Sequence, residues 1–208
     1  MSNDIIFAID SNDIEKSLEL AKKTKGLFYT IKLGLEFFNS NGKKGIQKFN
    51  EEGFENIMLD LKLHDIPETV YKSIKALDNI KFKYLTVHGQ GGGEMIRMAK
   101  KAASEIFSKP KILVVTILTS LKYKNTRKKV IRLSKISKNF GDGIICSGKE
   151  SKIVRKILGP DLLIFTPGVR FTEDKKDDQV RICNPFESIK NGSNKVIMGR
   201  SLIREFKF

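Results

Sequence analysis

The chain has 208 residues, 40% of them hydrophobic, so we expect a single domain with a sizeable core over residues 1–208. The net charge is +15, but the 39 lysines and arginines are spread along the chain without a basic tail, so we expect a lysine-rich surface and no nucleic-acid binding. Two cysteines are too few for a disulfide framework, and no apolar run approaches the roughly 18 residues of a membrane span, so we expect a soluble, cytoplasmic protein without membrane contacts.

Eight short apolar or β-branched runs recur along the chain and predict eight β-strands. The first run follows the acidic start "MSND", which does not fit a secretory signal peptide. Cys146 lies in the sixth run, and we expect it in the core. The runs are residues 5–9, 28–33, 57–63, 84–88, 111–118, 143–147, 162–167 and 195–199.

Amphipathic patterns between these runs predict helices that alternate with the strands. After the first run, "DIEKSLELAKKT" places Ile14, Leu18 and Ala21 on one stripe of a helix. Pro67 and the glycines at 91–93 stand where later helices would begin. The alternation predicts a parallel sheet closed into a compact (β/α)8 TIM barrel. An open doubly wound sheet is the alternative, but "AIDSND" after the first run is not a glycine-rich dinucleotide loop.

The third run, in the stretch "LDLKLHDIP", places charged residues where an apolar strand is predicted. A buried charge is costly unless it is paired. Strand alternation puts Leu59, Leu61 and Leu63 on the face that packs under the helices, and Asp60 and Lys62 on the other face. Because the C-terminal ends of barrel strands build active sites, we expect Asp60 and Lys62 to take part in chemistry there.

Charged residues also occur at the ends of other runs. Asp10 follows the first run, Lys32 lies near the end of the second, and His88 ends the fourth. Two lysines and two aspartates should therefore meet at one rim of the barrel. We expect His88 to be a hydrogen-bonded structural residue.

Each of these residues also has a purely structural explanation. Lys62 could be a salt-bridge partner of Asp60, and Lys32 could extend its ammonium group out of the barrel mouth. Asp65 lies just before a predicted helix and could cap it.

The spacing Asp60-x-Lys62-x-x-Asp65, with Lys32 nearby, resembles the catalytic tetrad of the orotidine 5′-phosphate decarboxylase family. That family carries D-x-K-x-H-D-I-P, and "LDLKLHDIP" matches every named position, which is a highly specific match. The resemblance extends along nearly the whole chain, although Leu63 replaces the usual aromatic residue and "HGQGG" departs from the usual turn after the fourth strand. Further matching segments are "IKLG" (31–34), Thr69, "LTS" (118–120), "TPGVR" (166–170), "DDQ" (177–179) and "GR" (199–200).

The resemblance implies conversion of orotidine 5′-monophosphate to uridine 5′-monophosphate and carbon dioxide, the last step of de novo UMP synthesis, without a cofactor or metal. It implies that Lys62 donates a proton to C6 of the pyrimidine. Asp60 and Asp65 would flank the departing carboxylate and keep Lys62 charged, and Lys32 would complete the charge array. These four are the predicted catalytic residues.

The resemblance also assigns substrate-binding residues and implies a homodimer. Asp65 and Thr69 would come from the neighbouring subunit, so that the two active sites are shared. The predicted substrate-binding residues are Asp10, Lys32, Asp60, Lys62, Asp65, Ile66, Thr69, Thr119, Ser120, Arg170, Gln179, Gly199 and Arg200.

The phosphate is expected between the loops after strands seven and eight, as in many barrels of this kind. Arg170, Gly199 and Arg200 would hold it with guanidinium groups and backbone N–H groups. Residues 171–179 would form a lid, and Gln179 would bridge to the base.

Two other functions fit part of the sequence. Magnesium-dependent sugar-phosphate lyases of the same suprafamily, such as 3-keto-gulonate 6-phosphate decarboxylase or hexulose-phosphate synthase, share D-x-K-x-x-D. They carry a carboxylate where this chain has Lys32, and a lysine would repel the metal. A basic nucleic-acid-binding barrel is the non-enzymatic alternative, but it leaves the inward-facing pair of Asp60 and Lys62 unexplained.

Overall fold

The computed structural model describes residues 4–121, 123–169 and 183–206. Eight parallel strands follow one another around a closed barrel, and β1 completes the ring by pairing with both β2 and β8. The predicted (β/α)8 barrel is confirmed, and the open doubly wound sheet is wrong. The strands are β1 Ile5–Ile9, β2 Thr30–Gly34, β3 Ile57–Leu63, β4 Tyr84–His88, β5 Lys111–Val115, β6 Gly143–Ile145, β7 Leu163–Thr166 and β8 Lys195–Met198.

Helices alternate with the strands, as the amphipathic patterns predict. Asp13 caps α1 by accepting hydrogen bonds from two backbone N–H groups of its first turn, and Pro67 opens α3. No helix of the described ranges is both long and apolar enough to cross a membrane. The helices are α1 Ile14–Lys23, α2 Leu35–Glu51, α3 Pro67–Lys75, α4 Gly92–Ser104, α5 Thr126–Phe140, α6 Gly148–Leu158, α7 Pro185–Lys190 and α8 Arg200–Phe206.

Alternation along the strands divides the core into two layers. Inward-facing side chains such as Ile6, Tyr84 and Phe165 fill the barrel, whereas Phe7 and Leu59 pack under the helices. The prediction that the leucine face of β3 lies under the helices is therefore confirmed. Cys146 is buried, also as predicted.

Apolar runs continue beyond the ends of the strands, where they form the cavity wall. The fifth run predicts a strand to residue 118, but β5 ends at Val115. Ile117 and Leu118 leave the sheet and line the cavity above it. An apolar run thus extends past its strand because both the sheet and the cavity wall require apolar side chains.

β3 contains an irregularity that local alternation does not predict. Its register with β4 shifts between the pairs Leu59–Leu85 and Leu63–Val87, so β3 has two more residues than β4 over this interval. Within the bulge Lys62 has φ of 48°, in the left-handed region. Such a conformation costs a non-glycine residue of order 1–3 kcal/mol. Bulges of this kind re-aim side chains next to active sites.

Candidate active site

A cavity of about 280 Å³ opens at the C-terminal ends of the strands. Apolar side chains including Ala8, Ile117 and Ile197 form part of its wall. Charged and polar residues from five strand ends border the same space. The predicted substrate-binding residues that line it are Asp10, Lys32, Asp60, Lys62, Thr119, Ser120, Gly199 and Arg200.

Four charged side chains alternate in sign along one side of the cavity. Lys32 Nζ lies 2.9 Å from Asp10 Oδ1 and 3.8 Å from Asp60 Oδ2. Lys62 Nζ lies 2.8 Å from the same Asp60 oxygen. Lys62 is an ion-pair partner of Asp60, as one structural explanation held, but it also lines the cavity. The explanation of Lys32 as an outward-reaching lysine does not fit, because Lys32 lines the cavity and is only 8% exposed.

Asp60 is the central anion of this array. Burial alone would raise the pKa of its carboxyl group, but the ammonium groups of Lys32 and Lys62, with hydrogen bonds from Lys62 and Thr86, outweigh that effect and lower it. Taking one ion out of water costs several kcal/mol, so two cations around one carboxylate are needed to keep it charged. Asp60 is therefore ionised at neutral pH and anchors both lysines.

Thr86 on β4 connects Asp60 to the bulge in β3. Its hydroxyl group donates a hydrogen bond to Asp60 Oδ1 over 2.9 Å and accepts one from the backbone N–H of Lys62 over 2.8 Å. Thr86 was not among the residues predicted from the sequence. Side-chain alternation along β4 could have indicated Thr86, because it places this residue on the inner face of the strand, two residues before His88.

Gly34, at the end of β2, leaves room for the ion pair beside it. A Cβ atom at this position would lie 3.2 Å from Lys32 Nζ and 3.3 Å from Asp10 Oδ1. These separations are shorter than ordinary van der Waals contact, so a larger residue would displace the pair. The importance of this glycine for the site was also missed.

The other end of the cavity is formed after β7 and β8. Val169, Gly199 and Arg200 line it there. A side chain at position 199 would place its Cβ atom 3.0 Å from the backbone oxygen of Ala8, which explains the glycine. Gly199 and Arg200 therefore border the space expected for a phosphate. Arg170, Gln179 and the predicted lid over 171–179 lie outside the described residues.

Asp65, Ile66 and Thr69 are predicted site residues that do not line the cavity of their own chain. All three are exposed, and Ile66 is 66% exposed despite its apolar side chain. Ile66 itself is the N-cap residue of α3, whereas Asp65 Oδ1 accepts a hydrogen bond from the backbone N–H of Ile66. The alternative explanation of Asp65 as the helix cap is therefore wrong.

His88 closes β4 beside the array. Its Nδ1 accepts a hydrogen bond from the backbone N–H of Gln90 over 3.3 Å, and its ring stacks on His64 with 5.0 Å between the centroids. Burial lowers the pKa of His88, and the nearby His64 and Lys62 lower it further. The structure thus agrees with the expected structural role.

Comparisons with known proteins identify relatives along almost the entire chain. The model of the orotidine 5′-phosphate decarboxylase / HUMPS family matches residues 3–206. Orotidine 5′-phosphate decarboxylase of Fusobacterium nucleatum subsp. nucleatum is 36% identical over 97% of this chain and 90% of its own length. The enzyme of the same name from Wigglesworthia glossinidia brevipalpis is 38% identical over 96% and 90%.

A solved structure shows the same architecture. The crystal structure of orotidine 5′-phosphate decarboxylase from Lactobacillus acidophilus superposes with a TM-score of 0.79 at 32% sequence identity. The match covers 96% of this chain and 91% of that chain. Neither this comparison nor the sequence relatives favour a nucleic-acid-binding protein.

Proposed function

Because the chain belongs to the orotidine 5′-phosphate decarboxylase / HUMPS family, we propose that it converts orotidine 5′-monophosphate to uridine 5′-monophosphate and carbon dioxide. This reaction is the last step of UMP biosynthesis. The observation that carries the proposal is the alternating array of Asp10, Lys32, Asp60 and Lys62 along one cavity.

The chemical difficulty of the reaction explains the need for such an array. Loss of carbon dioxide from C6 leaves a carbanion in the plane of the pyrimidine ring, where the π system cannot delocalise it. The protein must then stabilise the developing charge electrostatically, toward the upper part of the ~8–23 kcal/mol by which enzymes lower barriers.

Lys62 is the proposed proton donor. Its ammonium group is held by Asp60 at 2.8 Å and borders the cavity. As the bond between C6 and the carboxylate breaks, the ammonium group stabilises the electron pair left on C6. One N–H bond of Lys62 then breaks as the new C6–H bond forms, and carbon dioxide leaves.

Asp60 and Lys32 organise this donor in the proposed mechanism. Asp60 is charged because two ammonium groups lie beside it, and it fixes the direction of the Lys62 side chain. Lys32 and Asp10, joined over 2.9 Å, are proposed to hold the ribose hydroxyl groups. Thr119 and Ser120 border the cavity after β5 and are proposed to contact the pyrimidine edge.

The phosphate is proposed to bind between the ends of β7 and β8, with Gly199 and Arg200 among its contacts. Arg170 and Gln179 remain predicted contacts of the phosphate and the base. Binding energy from this remote group can be used to close the site over the reacting ring.

We propose a homodimer in which Asp65, Ile66 and Thr69 complete the partner's site. The supporting observation is their exposure, together with their position outside the cavity of their own chain. Ile66, which follows Asp65, is 66% exposed, and an exposed apolar side chain next to a predicted catalytic residue supports a subunit contact at this surface. We also propose that residues 1–208 act as one domain. The proposed location is the cytoplasm, where a charged nucleotide substrate does not have to cross a membrane.

A magnesium-dependent sugar-phosphate lyase is the nearest competing function, because such enzymes share the D-x-K-x-x-D spacing of Asp60, Lys62 and Asp65. Lys32 argues against it. Its ammonium group lies 3.8 Å from Asp60 Oδ2. A divalent cation bound to that carboxylate would be repelled by the positive charge of the lysine. No group of three or more His, Cys, Asp or Glu side chains suited to a metal occurs in the described ranges.

The direct test follows the loss of orotidylate absorbance by the purified chain with excess EDTA and no added cofactor. We expect full turnover, because the proposed charges all come from side chains. No loss of orotidylate absorbance, together with Mg²⁺-dependent turnover of a keto-sugar phosphate that EDTA abolishes, would instead support the lyase.

A further inference from the structure

A single buried hydroxyl group joins β3 and β4 beneath the charged array. Thr86 is 0% exposed and is not among the residues that line the cavity. Its Oγ1 donates to Asp60 Oδ1 and accepts from the N–H of Lys62, at 2.9 and 2.8 Å. A hydroxyl group has one proton to donate and lone pairs to accept with, so both hydrogen bonds exist together.

The bond to Lys62 occurs where the pairing of β3 with β4 is interrupted. The register shift between Leu59 and Leu63 lies around this residue, and its φ of 48° is strained. A buried backbone N–H without an acceptor is costly. The Thr86 side chain supplies that acceptor and so stabilises the backbone conformation from which the Lys62 side chain departs.

The bond to Asp60 determines which way its carboxylate faces. The terminal torsion of aspartate is broad and is set by its partners. With Oδ1 held by Thr86, Oδ2 faces Lys62 Nζ at 2.8 Å and Lys32 Nζ at 3.8 Å. Loss of the hydroxyl group would free the carboxylate to turn and would loosen its hold on both ammonium groups.

We therefore propose that Thr86 is a positioning residue that sets the aim of Lys62, by holding the Lys62 backbone and the Asp60 carboxylate with one hydroxyl group. The inference rests on the proposed decarboxylase function and adds to it a residue that acts through its neighbours. It predicts a larger effect on the chemical step than on binding.

The first experiment compares kinetics and product binding of the wild type and Thr86→Val. Valine keeps the shape of threonine and removes both hydrogen bonds. Because small misplacements of reacting groups are costly, we expect kcat to fall about 10²-fold. The affinity for uridine 5′-monophosphate, measured by calorimetry, should change by less than about 3-fold, because its ground-state contacts remain.

Two further variants separate positioning from packing. Thr86→Ser keeps the hydroxyl group and should recover most of kcat. Thr166→Val is the matched control, because Thr166 is also a 0% exposed barrel threonine whose hydroxyl bonds to a side chain, Ser193, but it has no hydrogen bond to the array. It should lower the melting temperature and leave kcat unchanged.

A second readout does not depend on turnover. Asp60 faces Lys32 from β2, Lys62 from its own strand and Thr86 from β4, with Asp10 beyond Lys32. Its lowered pKa means that its stabilisation is present above the ordinary value of 3.8 and is lost as the pH falls through the lowered value. The difference in unfolding free energy between wild type and Thr86→Val should therefore be largest near neutral pH and should narrow in acid to the pH-independent part that the Lys62 N–H hydrogen bond contributes. The difference for Thr166→Val should not change with pH.

The results distinguish this proposal from the proposed function. If the wild type has no decarboxylase activity, the proposed function fails, and the acid-unfolding comparison still decides whether Thr86 holds Asp60. If Thr86→Val does not fold, the same measurements are made on Thr86→Ser and Thr86→Ala. These two variants differ from each other only in the hydroxyl group. The positioning role is overturned if the variant without the hydroxyl group keeps kcat within about 3-fold of the protein that retains it. It is also overturned if the difference between their unfolding free energies does not depend on pH.

Discussion

At the scale of single residues, Lys62 shows how far the environment decides what a side chain can do. A lysine on a strand is normally a solvated surface group. Here Lys62 lies in a bulge, is paired with a buried carboxylate and borders a cavity. Its ammonium group is thereby kept in one direction, which is the condition for transferring a proton to one carbon atom.

The first prediction concerns the proposed role of Lys62 as proton donor. Lys62→Ala should lower kcat by at least about 10⁴-fold, the upper end for general acid catalysis, because charge stabilisation is lost with the proton. Affinity for uridine 5′-monophosphate should be largely kept. Arg200→Ala is the contrasting variant and should weaken binding of the same product strongly, because it removes a charge-assisted phosphate contact. A Lys62→Ala enzyme with only a raised KM would contradict the assigned role.

The second prediction concerns His88 and pH. Its pKa is lowered mainly by burial and then by His64 and Lys62, so the folded protein favours the neutral ring. The stabilisation is therefore complete above the ordinary value of 6.5 and is lost as the pH falls through the lowered value.

Urea unfolding at a series of pH values tests this. The unfolding free energy of the wild type should decrease more steeply below about pH 6.5 than that of His88→Asn, whose amide oxygen can still accept from Gln90. Parallel pH profiles for the two proteins would show that His88 does not contribute.

At the scale of elements, the end of β2 and the bulge of β3 define the charged side of the site. Gly34 makes space next to Lys32, and the bulge brings Lys62 to the same cavity as Asp60. The bulge is a departure from a regular strand, whereas Gly34 keeps regular pairing with β3. Both features lie at the C-terminal rim, where barrels place their active sites.

The third prediction tests the space beside β2. Gly34→Ala has an accessible backbone conformation, with φ of −99°, so folding should be maintained. The added Cβ atom should displace Lys32 and Asp10 by a few tenths of an ångström and lower kcat/KM by roughly 3- to 30-fold. Steady-state kinetics measures the loss, and an unchanged melting temperature is the control. Wild-type kcat/KM would mean that the ion pair adjusts freely.

At the scale of the whole molecule, one chain supplies only part of the predicted site. The cavity gathers residues from the ends of every strand except β4, whereas Asp65 lies exposed beyond β3. In an isologous dimer each subunit gives and receives the same group. The shared site is therefore a property of the proposed assembly.

The fourth prediction is complementation between two inactive variants. Lys62→Ala and Asp65→Asn, mixed in equal amounts and allowed to exchange subunits, should form mixed dimers as about half of all dimers. Each mixed dimer has one site with both lesions and one with neither, so activity should rise to about a quarter of the wild-type value. Exchange is verified by native mass spectrometry. No recovery despite verified exchange would place Asp65 in its own chain's site.

The sequence by itself determined the succession of strands and helices, which favoured a barrel, and the face on which Asp60 and the leucines of β3 lie. These are local properties, because side-chain alternation and the succession of strands and helices are written along the chain. Only the tertiary structure decided where β5 ends, how β3 bulges and which hydroxyl group holds Asp60. Thr86 lies 26 residues from Asp60 and 24 from Lys62, so their hydrogen bonds exist only because neighbouring strands bring them together. Register shifts and buried polar partners depend on such cross-strand contacts, which local patterns do not specify.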